Sequence, residues 1–323
     1  MSEPVELHAW AGGQIDADSH GDVTIGVRSG NLRADLYTDT LELAFEPAGE
    51  HGKAWLFARA CGFAGGMMIS PWTDGAPDPG RSMPVGYLGV EGGAQRWGPI
   101  GLWVGLQGEA REYVAYGVGS IGPVLRADAT GGLWTTQLQA SLRAGAHVAA
   151  MATAPLQPHL EGDVHWRADW RVGPIVEGWG AVADNQDAVT LSRVGGLTPY
   201  VVPLPGAAWA EWWVEDYAVG RVGIAAGSVG MVGTVVPKVL ARGTLSAVLA
   251  AFSTPHGGST AMDGPTHGAA GLEASGSLTY KHFYTDLAVG YAPWIRRQAG
   301  ISRASTFFRV GLDWTALRGK SRN

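Results

Sequence analysis

The segment from residue 163 to residue 172 alternates without a break between ionisable and apolar side chains. Its ionisable residues are Asp163, His165, Arg167, Asp169 and Arg171. Its apolar residues are Val164, Trp166, Ala168, Trp170 and Val172. Because successive side chains of an extended strand point to opposite faces, a strand here has one apolar and one ionisable face. Such a strand is typical of a wall between hydrocarbon and an aqueous lumen, and it favours a membrane-spanning β-barrel.

The same period of two recurs along the whole chain. Near the C-terminus the even-numbered positions are apolar, namely Phe308, Val310, Leu312 and Trp314. No segment shows a convincing helical period. The sequence therefore predicts an all-β protein, a closed antiparallel transmembrane β-barrel of roughly 14–18 strands with a polar lumen and no transmembrane helix.

Turn residues divide the chain into strands, and the predicted strands include 162–172, 188–194 and 207–216. Segments 67–84 and 254–269 are long and rich in Gly, Pro and Ser. We expect them on the extracellular side, where barrels of this kind have their longer loops. No composition break marks a second domain, so residues 1–314 are predicted to form one barrel and residues 315–323 a short polar tail.

Composition agrees with a barrel and excludes other classes. Charged residues make up 16% of the chain, below the roughly 25% of soluble proteins. The formal net charge of −6 without a basic patch argues against a nucleic-acid partner. A single cysteine, Cys61, excludes an intrachain disulfide and a thiolate metal cluster. We therefore predict no metal site and no cofactor.

The segment Phe307 to Trp314 resembles the terminal strand of bacterial outer-membrane β-barrels, which alternates apolar residues and ends in an aromatic residue. The tail after Trp314 departs from that pattern, because the aromatic residue usually ends the chain. The resemblance implies a location in the outer membrane of a Gram-negative bacterium, with outer-membrane lipid as a partner. The N-terminus shows no secretion signal, so a signal peptide is presumed to have been removed.

The alternation also assigns side chains to the two faces of the wall. We expect the following ionisable residues to face the lumen: Asp163, His165, Arg167, Asp169, Arg171, Glu109, Arg111, Arg143, Glu211, Glu215, Arg221, Arg309 and Asp313. We expect the following aromatic residues to face lipid: Trp166, Trp170, Trp212, Phe308 and Trp314. Two interpretations of the charged ladder stay open, a field that orients polar solutes and a plain ion-pair network in a barrel that conducts nothing.

Residues 193–206 break the rhythm of the strands, because three prolines deny donors to a ladder. The segment is distantly similar to the lid loop of outer-membrane assembly and translocation barrels, in which a Gly-Gly pair precedes an Arg-Gly-Tyr core. Gly195, Gly196 and Tyr200 match in type, whereas Thr198 and Pro199 stand where Arg-Gly would be required. We predict an ordered loop that inserts into the lumen.

Three functions fit these observations. The first is a pore or translocation channel for polar solutes or an exported polymer. The second is a non-conducting barrel that anchors a cell-envelope complex for export or motility, with periplasmic or inner-membrane proteins as partners. The third is a soluble carbohydrate-binding β-protein with Trp209, Trp212 and Trp213 as a stacking platform. No Gly-x-Ser-x-Gly elbow is present, and we predict no catalytic residues and no enzyme activity.

Overall fold

A computed structural model describes residues 5–15, 19–29, 32–36, 40–45, 56–69, 72–73, 76–77, 83–97, 102–115, 119–135, 137–149, 156–168, 171–184, 191–197, 201–207, 211–229, 239–253, 266–295 and 303–316. The strands of the first half are β1 (Val5–Ile15), β2 (Ser19–Ser29), β3 (Leu32–Leu36), β4 (Thr40–Phe45), β5 (Leu56–Ile69), β6 (Trp72–Thr73), β7 (Ala76–Pro77), β8 (Met83–Trp97), β9 (Leu102–Ala115) and β10 (Gly119–Trp134). Those of the second half are β11 (Leu138–Ala149), β12 (Leu156–Arg167), β13 (Val172–Ala183), β14 (Ser192–Val194), β15 (Trp212–Val214), β16 (Asp216–Val229), β17 (Val239–Ser253), β18 (His267–Tyr280), β19 (Phe283–Trp294) and β20 (Ala304–Ala316).

Sixteen of these strands form one closed barrel, in the order β1-β2-β3-β4-β5-β8-β9-β10-β11-β12-β13-β16-β17-β18-β19-β20. Every pair is antiparallel, and the barrel closes where β1 pairs with β20 from Val5 opposite Ala316 to Ile15 opposite Thr306. Closure leaves no free sheet edge, as a strand structure in hydrocarbon requires. The predicted all-β closed barrel is confirmed. No helix in the described residues is long and apolar enough to cross a membrane.

The side chains divide between the two faces as the alternation predicts. On β16, Val222 and Ile224 are more than half exposed on the outer surface, whereas Val219 is buried on the inner one. Other large apolar side chains exposed on the outside include Leu142, Leu160, Leu245, Leu249, Leu272, Leu287, Val289, Phe308 and Val310. A broad exposed apolar surface of this kind belongs against lipid, because a water-soluble protein seldom exposes one.

The connections differ in length between the two ends of the barrel. At the end where β1 begins and β20 ends (the terminal end), β2–β3 and β18–β19 are each joined by two residues, 30–31 and 281–282. The opposite end (the loop end) carries the long connections 70–82, 184–215 and 254–266. The two segments predicted to form long loops on one side therefore lie at the same end.

Three predicted strands differ from the structure. The segment 162–172 is not one strand, since β12 ends at Arg167 and Val172 starts β13. The amide of Ala168 donates to the carbonyl of Pro174, which turns the chain between them. The predicted strands 188–194 and 207–216 are wrong as wall strands over the residues that the structure describes. There β14 and β15 pair with each other outside the barrel sheet, and Asp216 is the first residue of the wall strand β16.

Two outward-facing residues that are equally exposed but lie at different depths in the bilayer provide a direct test of the lipid-facing surface. Leu245, near the middle of β17, is 65% exposed, and Phe283, the first residue of β19, is 62% exposed. Replacement by Arg should cost about 2–4 kcal/mol at the bilayer midplane and about 0–1 kcal/mol near the interface. We therefore expect Leu245→Arg to lower the free energy of unfolding in lipid vesicles and Phe283→Arg to leave it nearly unchanged, as measured by guanidinium titration. Equal effects would exclude the proposed depth of β17.

Candidate functional site

The lumen contains a connected ion-pair network that spans several strands. His165 on β12 lies 3.2 Å from Asp163 and 3.4 Å from Glu177 on β13. Arg221 on β16 donates to Glu177 at 2.8 Å and to Glu273 on β18 at 2.6 Å. Arg221 therefore lies between two carboxylates, and His165 lies between Asp163 and Glu177, where a protonated imidazole would alternate in charge with them. The network therefore ties β12 to β18 across the inner surface of the wall.

A second network lies around Asp128 on β10, whose side chain is fully buried. Arg126 donates to Asp128 at 2.5 Å, and Nε2 of His159 lies 3.0 Å from it. Arg143 donates to Glu161 at 2.9 Å. These contacts link β10, β11 and β12 with planar Arg groups, which fit carboxylates in fixed geometry.

Residues 191–215 are called the plug segment, and their described parts, 191–197, 201–207 and 211–215, fold back from the loop end into the lumen. Within it, β14 pairs with β15, and Val194 and Gly196 form bridges to Val202 and Leu204. Gly195 and Gly196 have φ values of 129° and 98°, which side chains rarely adopt. The guanidinium of Arg193 lies 3.7 Å above the ring of Trp213. The described parts of the plug segment are therefore ordered by their own hydrogen bonds.

Hydrogen bonds fasten the plug segment to one side of the wall. The side chain of Gln14 on β1 donates to the carbonyl of Ala207 at 3.1 Å and accepts from the amide of Leu197 at 2.7 Å. The amide of Gly206 donates to Ser305 on β20 at 2.9 Å. Gln14 is buried, so each of these bonds is shielded from water and costly to leave unmade.

An apolar cluster completes the attachment. Trp212 is fully buried, with ring centroids 4.8 Å from Phe252 on β17 and 4.9 Å from His267 on β18. The plug segment contributes Val194, Leu204, Ala207, Trp212 and Val214 to this cluster. The barrel side contributes Val219, Val248, Ala250, Phe252, Ala269, Ala292 and Ile295. The plug segment therefore has a small hydrophobic core of its own against β16–β19.

Two glycines of the wall make room for the plug segment. A Cβ on Gly290 of β19 would lie 2.8 Å from the Cβ of Pro205, and one on Gly271 of β18 would lie 3.1 Å from the Pro205 carbonyl oxygen. Gly206 itself has a φ of 78°, and a Cβ on it would overlap the backbone of Ala292. The Pro205–Gly206 turn therefore sits in a depression that only glycine leaves open.

A cavity of about 580 Å³ lies between the plug segment and the terminal end. Leu197, Val201 and Pro203 of the plug segment line it on one side. The charged side chains that line it are His165, Arg167, Arg221, Arg242, Glu273, Asp286 and Arg309. The described part of the plug segment therefore bounds this cavity on the side of the loop end.

The predicted charged ladder is only partly assembled. Asp163, His165 and Arg167 share β12, and all three have lumen-facing parity. Arg171 is exposed in the turn between β12 and β13, because the strand has already ended at Arg167. Asp169 lies outside the described residues. The expected row of five on one strand is therefore corrected to three.

The structure places the other predicted lumen residues in different locations. Arg143 belongs to the Asp128 network, Arg221 belongs to the network of Glu177 and Glu273, and Arg309 pairs with Asp286 at 2.6 Å. Glu211 and Glu215 are not on a wall strand, since they flank β15 of the plug segment. The remaining three are Glu109 and Arg111, which lie on β9 with undescribed side chains, and Asp313, which is exposed near the terminal end of β20.

Among the predicted lipid-facing residues, Phe308 is 45% exposed on the outer surface, and Trp166 shares the outward parity of Val164. Trp212 was assigned to the wrong face, because it belongs to the plug segment and is fully buried against Phe252. Trp170, the side chain of Trp314 and the predicted loop residue Tyr200 lie outside what the structure describes.

Several charged residues of the networks were missed by the sequence analysis. They are Arg126, Asp128, Glu161, Glu177, Arg242 and Glu273. Most of them carry the same signal as the predicted ladder. Glu161 precedes Asp163 by two residues on β12, and Glu273 alternates with exposed Leu272 on β18. The alternation within their strands could therefore have identified them.

The fold is similar to solved structures at low sequence identity. CdiB from Acinetobacter baumannii superposes with a TM-score of 0.64 and 11% identity over 96% of this chain and 60% of that chain. BamA from Haemophilus ducreyi lacking POTRA domains 1–3 gives 0.61 and 9% over 97% of this chain and 70% of that one. CdiB from Escherichia coli gives 0.60 and 9% over 95% and 63%. The chain thus spans less than two thirds of either CdiB chain.

No family model matches the sequence, and no curated protein matches it. The structural likeness therefore shows the fold, which is that of bacterial outer-membrane β-barrels. The exposed apolar outer surface of the described strands suits this fold to a membrane.

Proposed function

We propose that this protein is a translocation channel of the outer membrane. The plug segment holds this channel closed, and the channel opens when the plug segment detaches from the wall. The observation that carries the proposal is the position of the plug segment above a polar cavity. It is fastened to β1 and to the β16–β20 side of the wall. Since the plug segment is attached to one side of the wall, it can leave without breaking a ladder of the barrel sheet.

The cargo proposed for this path is a polar solute or an exported polymer. Charged groups and hydroxyls line the cavity, and such a lining replaces the hydration of a polar solute better than an apolar one does. The path would run from the terminal end, through the cavity and past the seat of the plug segment. Long loops characterise the extracellular side of such barrels, so the proposed direction of export is toward the loop end.

A second candidate is a non-conducting barrel that anchors a cell-envelope complex. The observation in its favour is the extent of the ion-pair networks, which fasten neighbouring strands and need no transported solute. Periplasmic or envelope partners would then carry the activity. The exposed apolar outer surface disfavours the third candidate, a soluble carbohydrate-binding protein.

A cross-link that holds the plug segment in place distinguishes the two membrane functions. In a Cys61→Ser background, Gln14→Cys and Leu197→Cys place thiols where the Gln14 side chain now accepts from the Leu197 amide at 2.7 Å. We expect a short bifunctional thiol reagent to abolish channel openings in planar bilayers, and a reductant to restore them.

Gln14→Cys alone, treated with the same reagent, is the matched control and should keep its openings. The proposal fails if the doubly substituted protein conducts equally with and without the cross-link. It also fails if neither the unmodified protein nor a variant without the plug segment ever conducts, which is the behaviour of an anchor.

A further inference from the structure

The cavity below the plug segment has more positive than negative groups among its lining residues. Four arginines line it, Arg167, Arg221, Arg242 and Arg309, together with two carboxylates, Glu273 and Asp286. Arg221 is engaged by Glu177 and Glu273, and Arg309 is engaged by Asp286. Each of the two carboxylates of the lining is therefore already in contact with an arginine.

Arg167 and Arg242 have no carboxylate or hydrogen-bond partner for their side chains within the described part of the chain. Arg167 ends β12, and Arg242 lies near the start of β17, so both are close to the terminal end. Paired arginines of the same lumen contact their carboxylates at 2.5–2.9 Å. These two guanidinium groups are therefore available to a ligand.

The two arginines also converge on one point of the wall. A Cβ on Gly227 of β16 would lie 3.1 Å from Nη2 of Arg167 and 3.6 Å from Cγ of Arg242. The missing side chain of Gly227 leaves the space that the Arg167 guanidinium occupies. Both side chains are cationic, so both attract an anion that enters this part of the lumen. This arrangement is therefore suited to a negatively charged ligand.

Hydroxyl groups line the same cavity. Ser277 lies opposite Arg242 in the ladder between β17 and β18, and Thr244 and Ser275 are hydrogen-bonded to each other one step further along that ladder. Guanidinium forks with neighbouring hydroxyl donors match the oxygens of carboxylates and phosphates. We propose that Arg167 and Arg242 form a binding site for an oxyanion group, a carboxylate or a phosphate, on a solute that enters the lumen from the terminal end.

An oxyanion site implies that anionic solutes are the substrates of the proposed channel. The role of the site in transport rests on that proposed function. Binding itself does not require the plug segment to move. A titration with the plug segment cross-linked shut therefore tests the site alone, whereas conductance tests the channel. A closed protein that still binds the probes would leave this proposal standing even if the channel proposal failed.

The experiment is calorimetric titration of the full chain in detergent with two probes, succinate and inorganic phosphate, which separate the two sources of oxyanion. We expect binding of at least one probe, weakened about tenfold by Arg167→Gln or Arg242→Gln, since each replacement removes a charge-assisted contact. Arg242→Lys should retain part of the affinity because it keeps the charge. Arg303→Gln is the matched control, because Arg303 lies at the loop end and donates to the carbonyl of Pro293.

Folding of every variant is checked by the shift of its band on heating before electrophoresis. The proposal is overturned if neither probe binds the unmodified protein at millimolar concentration. It is also overturned if Arg167→Gln and Arg242→Gln bind as tightly as Arg303→Gln. Should either glutamine variant fail to fold, loss of binding to the unmodified protein at high ionic strength is expected, and its persistence would contradict the site.

Discussion

Gly290→Leu is expected to open the channel. Gly290 faces the lumen on β19, and a Cβ there would lie 2.8 Å from the Cβ of Pro205 and 2.9 Å from the amide nitrogen of Gly206. Because β19 is held in ladders by β18 and β20, the plug segment must yield rather than the wall. Overpacking that costs about 1–3 kcal/mol would raise the ratio of open to closed channels roughly 5- to 150-fold. The measurement is open probability in planar bilayers.

Gly220→Leu is the matched control for this substitution. Gly220 lies on β16 with the outward parity of Val222, and a Cβ there would meet nothing within 4 Å. A leucine at that position only extends the apolar surface and should leave the open probability unchanged. A folded Gly290→Leu protein that stays as closed as the unmodified one would show that the plug segment does not limit conduction.

The wall of the barrel could be predicted from the sequence because a strand against lipid has only two environments. Val23, Ile25 and Val27 are exposed on the outer surface, whereas Thr24 between them is buried in the lumen. An even or odd position in such a strand therefore suffices to assign a residue to the lipid or the lumen. A shift of the register by one residue would place charged side chains in hydrocarbon. This constraint holds for each strand separately, so it required no knowledge of the other strands.

The plug segment was harder to predict because its environment is set by tertiary packing. Trp212 and Val214 alternate with Glu211 and Trp213 just as a wall strand does, yet Trp212, Trp213 and Val214 are all buried between the lumen wall and the rest of the plug segment. Alternation cannot distinguish a strand that faces lipid from one that packs inside the barrel, since both bury apolar residues. The prolines of residues 193–206 gave the better signal, because they exclude a central strand.

The pairing of charges could not be derived from sequence either. Parity places Arg221 and Glu273 in the lumen, but their contact crosses from β16 over β17 to β18. Such a contact depends on the curvature of the wall and on the register of two ladders. The identity of the unpaired arginines depends on the same facts, and it therefore emerged only from the structure.

Arg221→Met should be the most destabilising single change in the lumen. Arg221 bonds Glu177 at 2.8 Å and Glu273 at 2.6 Å, and its side chain is only 18% exposed. Its loss leaves Glu273 without its counter-ion and leaves Glu177 with only His165, 3.4 Å away, as a partner. Removal of one partner from a buried ion pair costs about 3–5 kcal/mol. We expect that decrease in the free energy of unfolding, measured by guanidinium titration of the protein in lipid vesicles.

The triple variant Arg221→Met, Glu177→Gln, Glu273→Gln separates charge from packing. It removes both carboxylates together with the arginine and keeps side chains of similar size. Most of the lost stability should therefore return, as is found when whole buried ion pairs are replaced. If the single and triple variants were equally unstable, the Arg221 side chain would stabilise the fold by filling space beside Trp179. Its Cζ atom lies 5.3 Å from the centroid of the Trp179 ring. If both were as stable as the unmodified protein, water in the cavity would be screening the carboxylates, and the network would contribute little to the fold.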